Sequence, residues 1–201
     1  MGLKNMVARL AILVVLLGCA TAAKADTVSV DGSYGFMDPS GYAIPPYGGT
    51  FDGKAAQFYC VDFTHEISGG KSWDVTVTSL TASASAFSAT LLKNQQTYLA
   101  MAWLITKMWG ASSSMMAAEY QFAIWSFSGG ANSPDPYKTN SSIVAAAIAA
   151  AKTFSGQGWE ILTPTGSYGQ EFLIYTSEPS VLLLLAVGCV LLVVVHKKAG
   201  V

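Results

Sequence analysis

Apolar and polar positions alternate in short runs near the start of the chain. Thr27-Val28-Ser29-Val30 has the two-residue period of a strand. The stretch from Gly35 to Gly53, with Gly41, Gly48, Gly49, Pro39, Pro45 and Pro46, reads as loop and turns. Gln57 to Phe63 predicts a second strand. Trp73 to Leu80 predicts a third, with Val75 and Val77 alternating against Thr76 and Thr78, after a Gly69-Gly70 turn. The period then changes. From Asn94 to Met108, and on to Trp109, apolar residues recur at three- and four-residue steps (Tyr98, Ala102, Ile105, Trp109), which predicts an amphipathic helix. Ser112 to Ser114 offers caps for a second helix to about Phe127, stopped by Gly129-Gly130. Asn132 to Tyr137, with two prolines, is a loop. Asn140 caps an alanine-rich third helix through Lys152. Glu160 to Leu162 and Gln170 to Tyr175 predict the last strands. The order predicts an α+β domain, with β-rich N- and C-terminal parts around a central helical segment. No internal repeat is visible.

The two ends follow neither period. Residues 1–25 read as a secretory signal helix: Lys4 and Arg9 form a positive start, Leu10 to Gly18 an apolar stretch, and Ala23-Lys24-Ala25 a cleavage site. Leu16-Leu17-Gly18-Cys19 competes as a lipidation site, with Cys19 as the lipidated residue. At the other end, Val181 to Val195 lacks any polar side chain and His196-Lys197-Lys198 follows. Fifteen such residues reach about 22 Å as a helix, against about 30 Å of hydrocarbon core. The lysines are expected to stay on the cytoplasmic side. The chain therefore divides into a signal (1–25), an exported domain (26–176) and a hydrophobic tail (177–201).

Composition sharpens this division. Of 201 residues, 52% are hydrophobic and 11% charged, which excludes a disordered chain and is unusual for a cytosolic domain. Between Asp26 and Glu178, twelve acids face six lysines, a net charge of −6. That surface argues against nucleic acid or anionic lipid as a partner.

Glu178-Pro179-Ser180, the leucine-rich run and the basic end at Lys197 and Lys198 resemble the PEP-CTERM sorting signal. Proteins with that signal are exosortase substrates of Gram-negative bacteria, associated with extracellular polymeric material. The resemblance implies signal peptidase and an exosortase-like sorting enzyme as partners. It also implies an inner-membrane stage through the C-terminal helix before processing, and then a cell-surface or extracellular destination. A plain C-terminal transmembrane anchor is the alternative, and it also places the middle of the chain outside the cytoplasm.

The exported domain holds one cysteine, Cys60, which has no partner for an internal disulfide. A lone thiol in an oxidising compartment is buried and inert, paired with another chain, or chemically used. In a continuing strand Cys60 shares a face with Phe58, Asp62 and Thr64, opposite Tyr59, Val61, Phe63 and His65. A carboxylate on that face is odd for a purely apolar core. On the second predicted helix, Glu119 and Ser126 mark the wet side. Gln121 falls on the dry side, one turn from Trp125 and from Ala117. A buried carboxamide needs hydrogen-bond partners, which backbone groups often supply.

Tyr59-Cys60-Val61-Asp62 and Gln121-Phe122-Ala123-Ile124-Trp125 together resemble the two motifs of thioester domains in bacterial surface adhesins, and Ala102-Trp103-Leu104 between them also fits. The resemblance runs from about Phe51 to Tyr175. It implies that the Cys60 thiolate attacks the Gln121 side-chain carbonyl and expels ammonia, leaving an internal thioester. Phe58, Tyr59, Asp62, Phe122 and Trp125 are the expected surroundings, the aromatic groups excluding water. A surface amine of a target would then take the acyl group in a single-use reaction, so no turnover enzyme, cofactor or metal is implied. The alternative is a non-reactive surface or exopolysaccharide-matrix protein of the same fold.

Two further chemistries are weaker. A cysteine hydrolase needs a histidine base, and His65, expected on the opposite strand face, is the only candidate in the exported domain. Asp62, His65 and Glu66 suggest a metal site less than a solvated edge.

Overall fold

The computed structural model describes residues 25–66, 68–129 and 141–176. The signal, the Cys19 site, the Asn132 to Tyr137 loop, the Asn140 cap and the sorting tail lie outside these residues. No helix among the described residues is long and apolar enough to cross a membrane.

Among the described residues, eight strands and three α-helices form a mixed α and β fold. The strands are β1 (Asp26–Val30), β2 (Phe36–Met37), β3 (Ala43–Ile44), β4 (Tyr47–Phe51), β5 (Lys54–Cys60), β6 (Lys71–Ser79), β7 (Trp159–Pro164) and β8 (Phe172–Tyr175). The helices are α1 (Gln95–Trp109), α2 (Ser114–Gly129) and α3 (Ser141–Ala151), with a 3₁₀ turn at Ala84–Ala89 before them. Six strands close an antiparallel barrel in the order β1-β4-β5-β8-β7-β6, and β2 and β3 form a separate small hairpin. The barrel unites the β-rich N- and C-terminal parts: β8 enters beside β5, pairing Tyr59 with Leu173 and Cys60 with Phe172.

The three expected helices form, the first two with their N-terminal signals in place. Asn94 caps α1, its side chain accepting from the Thr97 amide, and the Ser113 hydroxyl accepts from the Met116 amide at the start of α2. The apolar face of α1 is wider than its period suggested. Tyr98, Leu99, Met101, Ala102, Leu104, Ile105 and Met108 are all buried, because α1 packs against both α2 and α3 and shares a core with Tyr59, Ile161 and Leu173 of the barrel. Trp109 departs from the pattern: it is half exposed and stacks on Trp159 at 5.4 Å.

The Gly35 to Gly53 stretch is not simply loop. It contains the β2–β3 hairpin and the whole of barrel strand β4. Its glycines permit close packing. A Cβ on Gly49 would stand 2.0 Å from the Ser29 carbonyl oxygen on β1, and one on Gly48 would stand 2.2 Å from the Ser33 hydroxyl. A strand built from such positions carries little hydrophobic alternation, so periodicity cannot detect it.

Two cores meet along β5. Phe58 and Cys60 face the barrel interior with Val28, Val30, Trp73, Val75, Leu162 and Phe172, a core completed by Ala118, Phe122 and Trp125 of α2. Tyr59 and Val61 face the other way, into a core shared with α1, Ile161 and Leu173. The same alternation explains β6, where Trp73 and Val75 point inward while Thr78, opposite Ile161, is buried under the helical layer.

Candidate functional site

Cys60 ends β5, and Gln121 lies midway along α2; both are completely buried. The Gln121 Nε2 donates to the backbone carbonyl of Cys60 at 2.9 Å. One turn further along α2, Trp125 donates its indole N–H to the Cys60 Sγ at 3.2 Å. The i, i+4 spacing puts carboxamide and indole on one helix face, so α2 presses both onto the same cysteine. The thiol itself donates to the Asp62 carbonyl at 3.2 Å. Gln121, 61 residues away in the chain, thus meets the backbone of Cys60, and Trp125 meets its sulfur.

The hydrogen bonding around Gln121 is incomplete. Among the described residues, the Gln121 Oε1 is fully buried with no donor facing it. An unsatisfied buried acceptor costs about 1–3 kcal/mol. Burial pushes the Cys60 thiol up to about 12, opposed by the Trp125 N–H and helped by the charges of Asp62 and Glu171. At neutral pH the sulfur is therefore a protonated, weakly nucleophilic thiol, unlike the activated cysteine of a hydrolase.

Aromatic rings pack around Trp125. Phe122 lies edge-on to Trp125 at 5.2 Å, and Phe63 packs on Trp125 at 5.5 Å. Tyr42, carried by the β2–β3 hairpin, touches Phe63, Phe122 and Trp125. The Asp38 carboxylate holds the turn that presents Tyr42, accepting from the Ser40 and Tyr42 amides.

Of the residues expected around the pair, Phe58, Phe122 and Trp125 share the barrel core with Cys60. Tyr59 does not. It points into the helical core, where its hydroxyl accepts from the Trp109 indole at 2.6 Å, because adjacent residues of a strand face opposite sides. Asp62 is present but turned away: its backbone carbonyl meets the thiol, while its carboxylate serves the next turn.

That turn corrects the expectation for residues 61–65. The strand ends at Cys60, so alternation no longer applies beyond it. Asp62 Oδ1 accepts from the Thr64 amide and hydroxyl, and the turn brings His65 Nδ1 to 2.6 Å from Asp62 Oδ2. Asp62 and His65, expected on opposite faces, form a pair. Asp62 is only 2% exposed, whereas His65 and Glu66 are exposed, so the solvated edge expected of the three holds for the last two and not for Asp62. Among the described residues, no group of three or more metal-ligating side chains is placed to hold an ion.

Sequence reasoning missed three residues. Tyr42 lay in an assumed loop. Gln170 donates to the backbone carbonyls of both Asp62 and His65 at 2.7 Å, fastening the turn to the barrel. Glu171 is buried and receives the Tyr98 hydroxyl, the Thr163 hydroxyl and the Leu91 amide, joining the barrel to α1. Burial holds its carboxyl above the usual range. The available signal was two polar residues opening the fully apolar run Phe172-Leu173-Ile174, where a strand buried on both faces leaves them no water.

The chain matches no family model, no curated protein and no solved structure.

Proposed function

We propose that this is an exported surface domain that stores an internal Cys60–Gln121 thioester and spends it once, acylating an amine on a neighbouring surface. The observation that carries the reading is the Gln121 carboxamide. It is sealed from water, bonded through Nε2 to the carbonyl of Cys60 itself, and left with an unpartnered Oε1. Formation needs only the two residues: sulfur bonds to the side-chain carbonyl carbon, the thiol proton and the amide nitrogen leave as ammonia, and a thioester remains. Loss of the amide replaces a strong orphaned acceptor with the weaker oxygen of a thioester. The dry aromatic surroundings slow hydrolysis of the product. The signal and tail readings supply the setting, a chain exported through the inner membrane and sorted to the surface or surrounding matrix.

A second reading has its own support. A thiol pushed up to about 12 and donating to the Asp62 carbonyl suits an inert packed cysteine in a matrix protein of the same fold. Intact mass of the purified full chain separates the two. The thioester gives a mass one ammonia below that of the unmodified chain, a deficit abolished by Cys60→Ala. Full mass, with Cys60 alkylated only after unfolding, would establish the inert protein instead.

A further inference from the structure

A cavity of about 440 Å³ adjoins the site and is lined by Tyr42, Tyr47, Asp62, His65, Glu66 and Trp125 among others. Cys60 and Gln121 are not part of its wall. The Trp125 indole is: it borders the cavity and also bonds the Cys60 sulfur. Among the described residues, the ionisable side chains lining this cavity are acids, tyrosines and a histidine, with no lysine or arginine. Of these, His65 is pre-arranged. Its Nδ1 is engaged by Asp62 Oδ2, whose other oxygen is held by Thr64, and its backbone carbonyl is held by Gln170. An imidazole with Nδ1 bound to a carboxylate carries its available lone pair on Nε2.

Resting on the thioester reading, we propose that this cavity receives a primary alkylammonium group, such as a lysine side chain, and that His65 is the base that removes its proton during transfer. Asp62 and Glu66 attract the cation, while Tyr42, Tyr47 and Trp125 offer ring faces to its methylenes and charge. An ammonium ion has no lone pair, so transfer requires deprotonation. His65 Nε2 takes one proton from the incoming ammonium and frees the nitrogen lone pair. Displacement of the indole then opens the way to the acyl carbon. The amine nitrogen bonds to that carbon, the carbon–sulfur bond breaks, and the electron pair leaves on Cys60. The second nitrogen proton passes through solvent to the sulfur, and the imidazolium releases its proton to solvent. The products are an amide at position 121 and a free thiol. Asp62 is a positioning residue, acting through His65.

The test follows acyl transfer by intact mass in the full chain with two probes: methylamine, a cation at neutral pH, and hydroxylamine, a nucleophile that is uncharged there. His65→Gln, at a half-exposed position, is expected to slow methylamine transfer about 100-fold or more while changing the hydroxylamine rate far less. Glu66→Gln, an exposed change, is expected to raise the methylamine concentration for half-maximal rate about two- to fivefold and leave hydroxylamine unaffected. If both variants carry the ammonia deficit but react with methylamine like the unsubstituted chain, or lose both reactions equally, the assignment of His65 and the cavity is overturned and the thioester stands. Should His65→Gln fail to fold, Glu66→Gln decides by the same comparison. Absence of the deficit from the unsubstituted chain overturns both readings.

Discussion

Hydrolysis of the proposed thioester would leave a carboxyl group at position 121, so Gln121→Glu imitates the spent domain. The side chain there is completely buried, and its Nε2 lies 2.9 Å from the Cys60 carbonyl oxygen. A protonated carboxyl can donate to that oxygen and keep the native bond. A carboxylate cannot, since it sets an acceptor against an acceptor in a space already near Asp62 and Glu171. The folded-state value is therefore raised above that of the unfolded chain. The stability of the variant is retained below the unfolded value of about 4.3 and falls as pH rises, at about 1.4 kcal/mol per pH unit until the folded-state value is reached. With a folded-state value at or above neutrality, the loss between pH 4.3 and pH 7 is about 3.7 kcal/mol. The assay is urea unfolding followed by tryptophan fluorescence. Cys60→Ser is compared with Cys60→Ser/Gln121→Glu at each pH, so that no cross-link contributes and other titrations cancel. A difference that is flat between pH 4 and pH 7 would refute the enclosure of Gln121 and its bond to Cys60.

Two other expectations concern the scaffold. Glu171 is raised above its ordinary value of 4.5, chiefly by burial, so its share of stability is full below that value and declines as pH rises through the folded-state value. Tyr98→Phe deletes the donor to Glu171 Oε2, which is expected to cost about 1–3 kcal/mol in urea unfolding at neutral pH and less in acid. Gly49→Ala forces a Cβ to 2.0 Å from the Ser29 carbonyl and should separate β1 from β4, costing about 3 kcal/mol or more by thermal unfolding; a change within error would show that the barrel yields there.

The carboxamide of Gln121 shows how far the chain was legible. Its place on the dry side of α2 followed from Glu119 and Ser126 at helical spacing, and its need for a partner followed from the chemistry of an amide. The identity of that partner did not. Gln121 reaches Cys60 only because β5 closes against β8 and α2 lies across the end of the barrel core. The same holds for Asp62 and His65. Continued alternation separated them, whereas the observed turn, fastened by Gln170 from the other end of the domain, joins them.

Local order was written in the sequence: the strand and helix periods, the Asn94 cap and the serine cap of α2 each depend on residues a few positions apart. The tertiary structure decided everything that depends on distant neighbours. It made a strand of Tyr47–Phe51, whose glycines matter only because β1 passes within 2.0 Å of a would-be Cβ. It buried both faces of the end of β5, Phe58 to Cys60, and gave Cys60 and Tyr59 different cores. Periodicity states which side chains share a face, and barrel closure determines what that face meets.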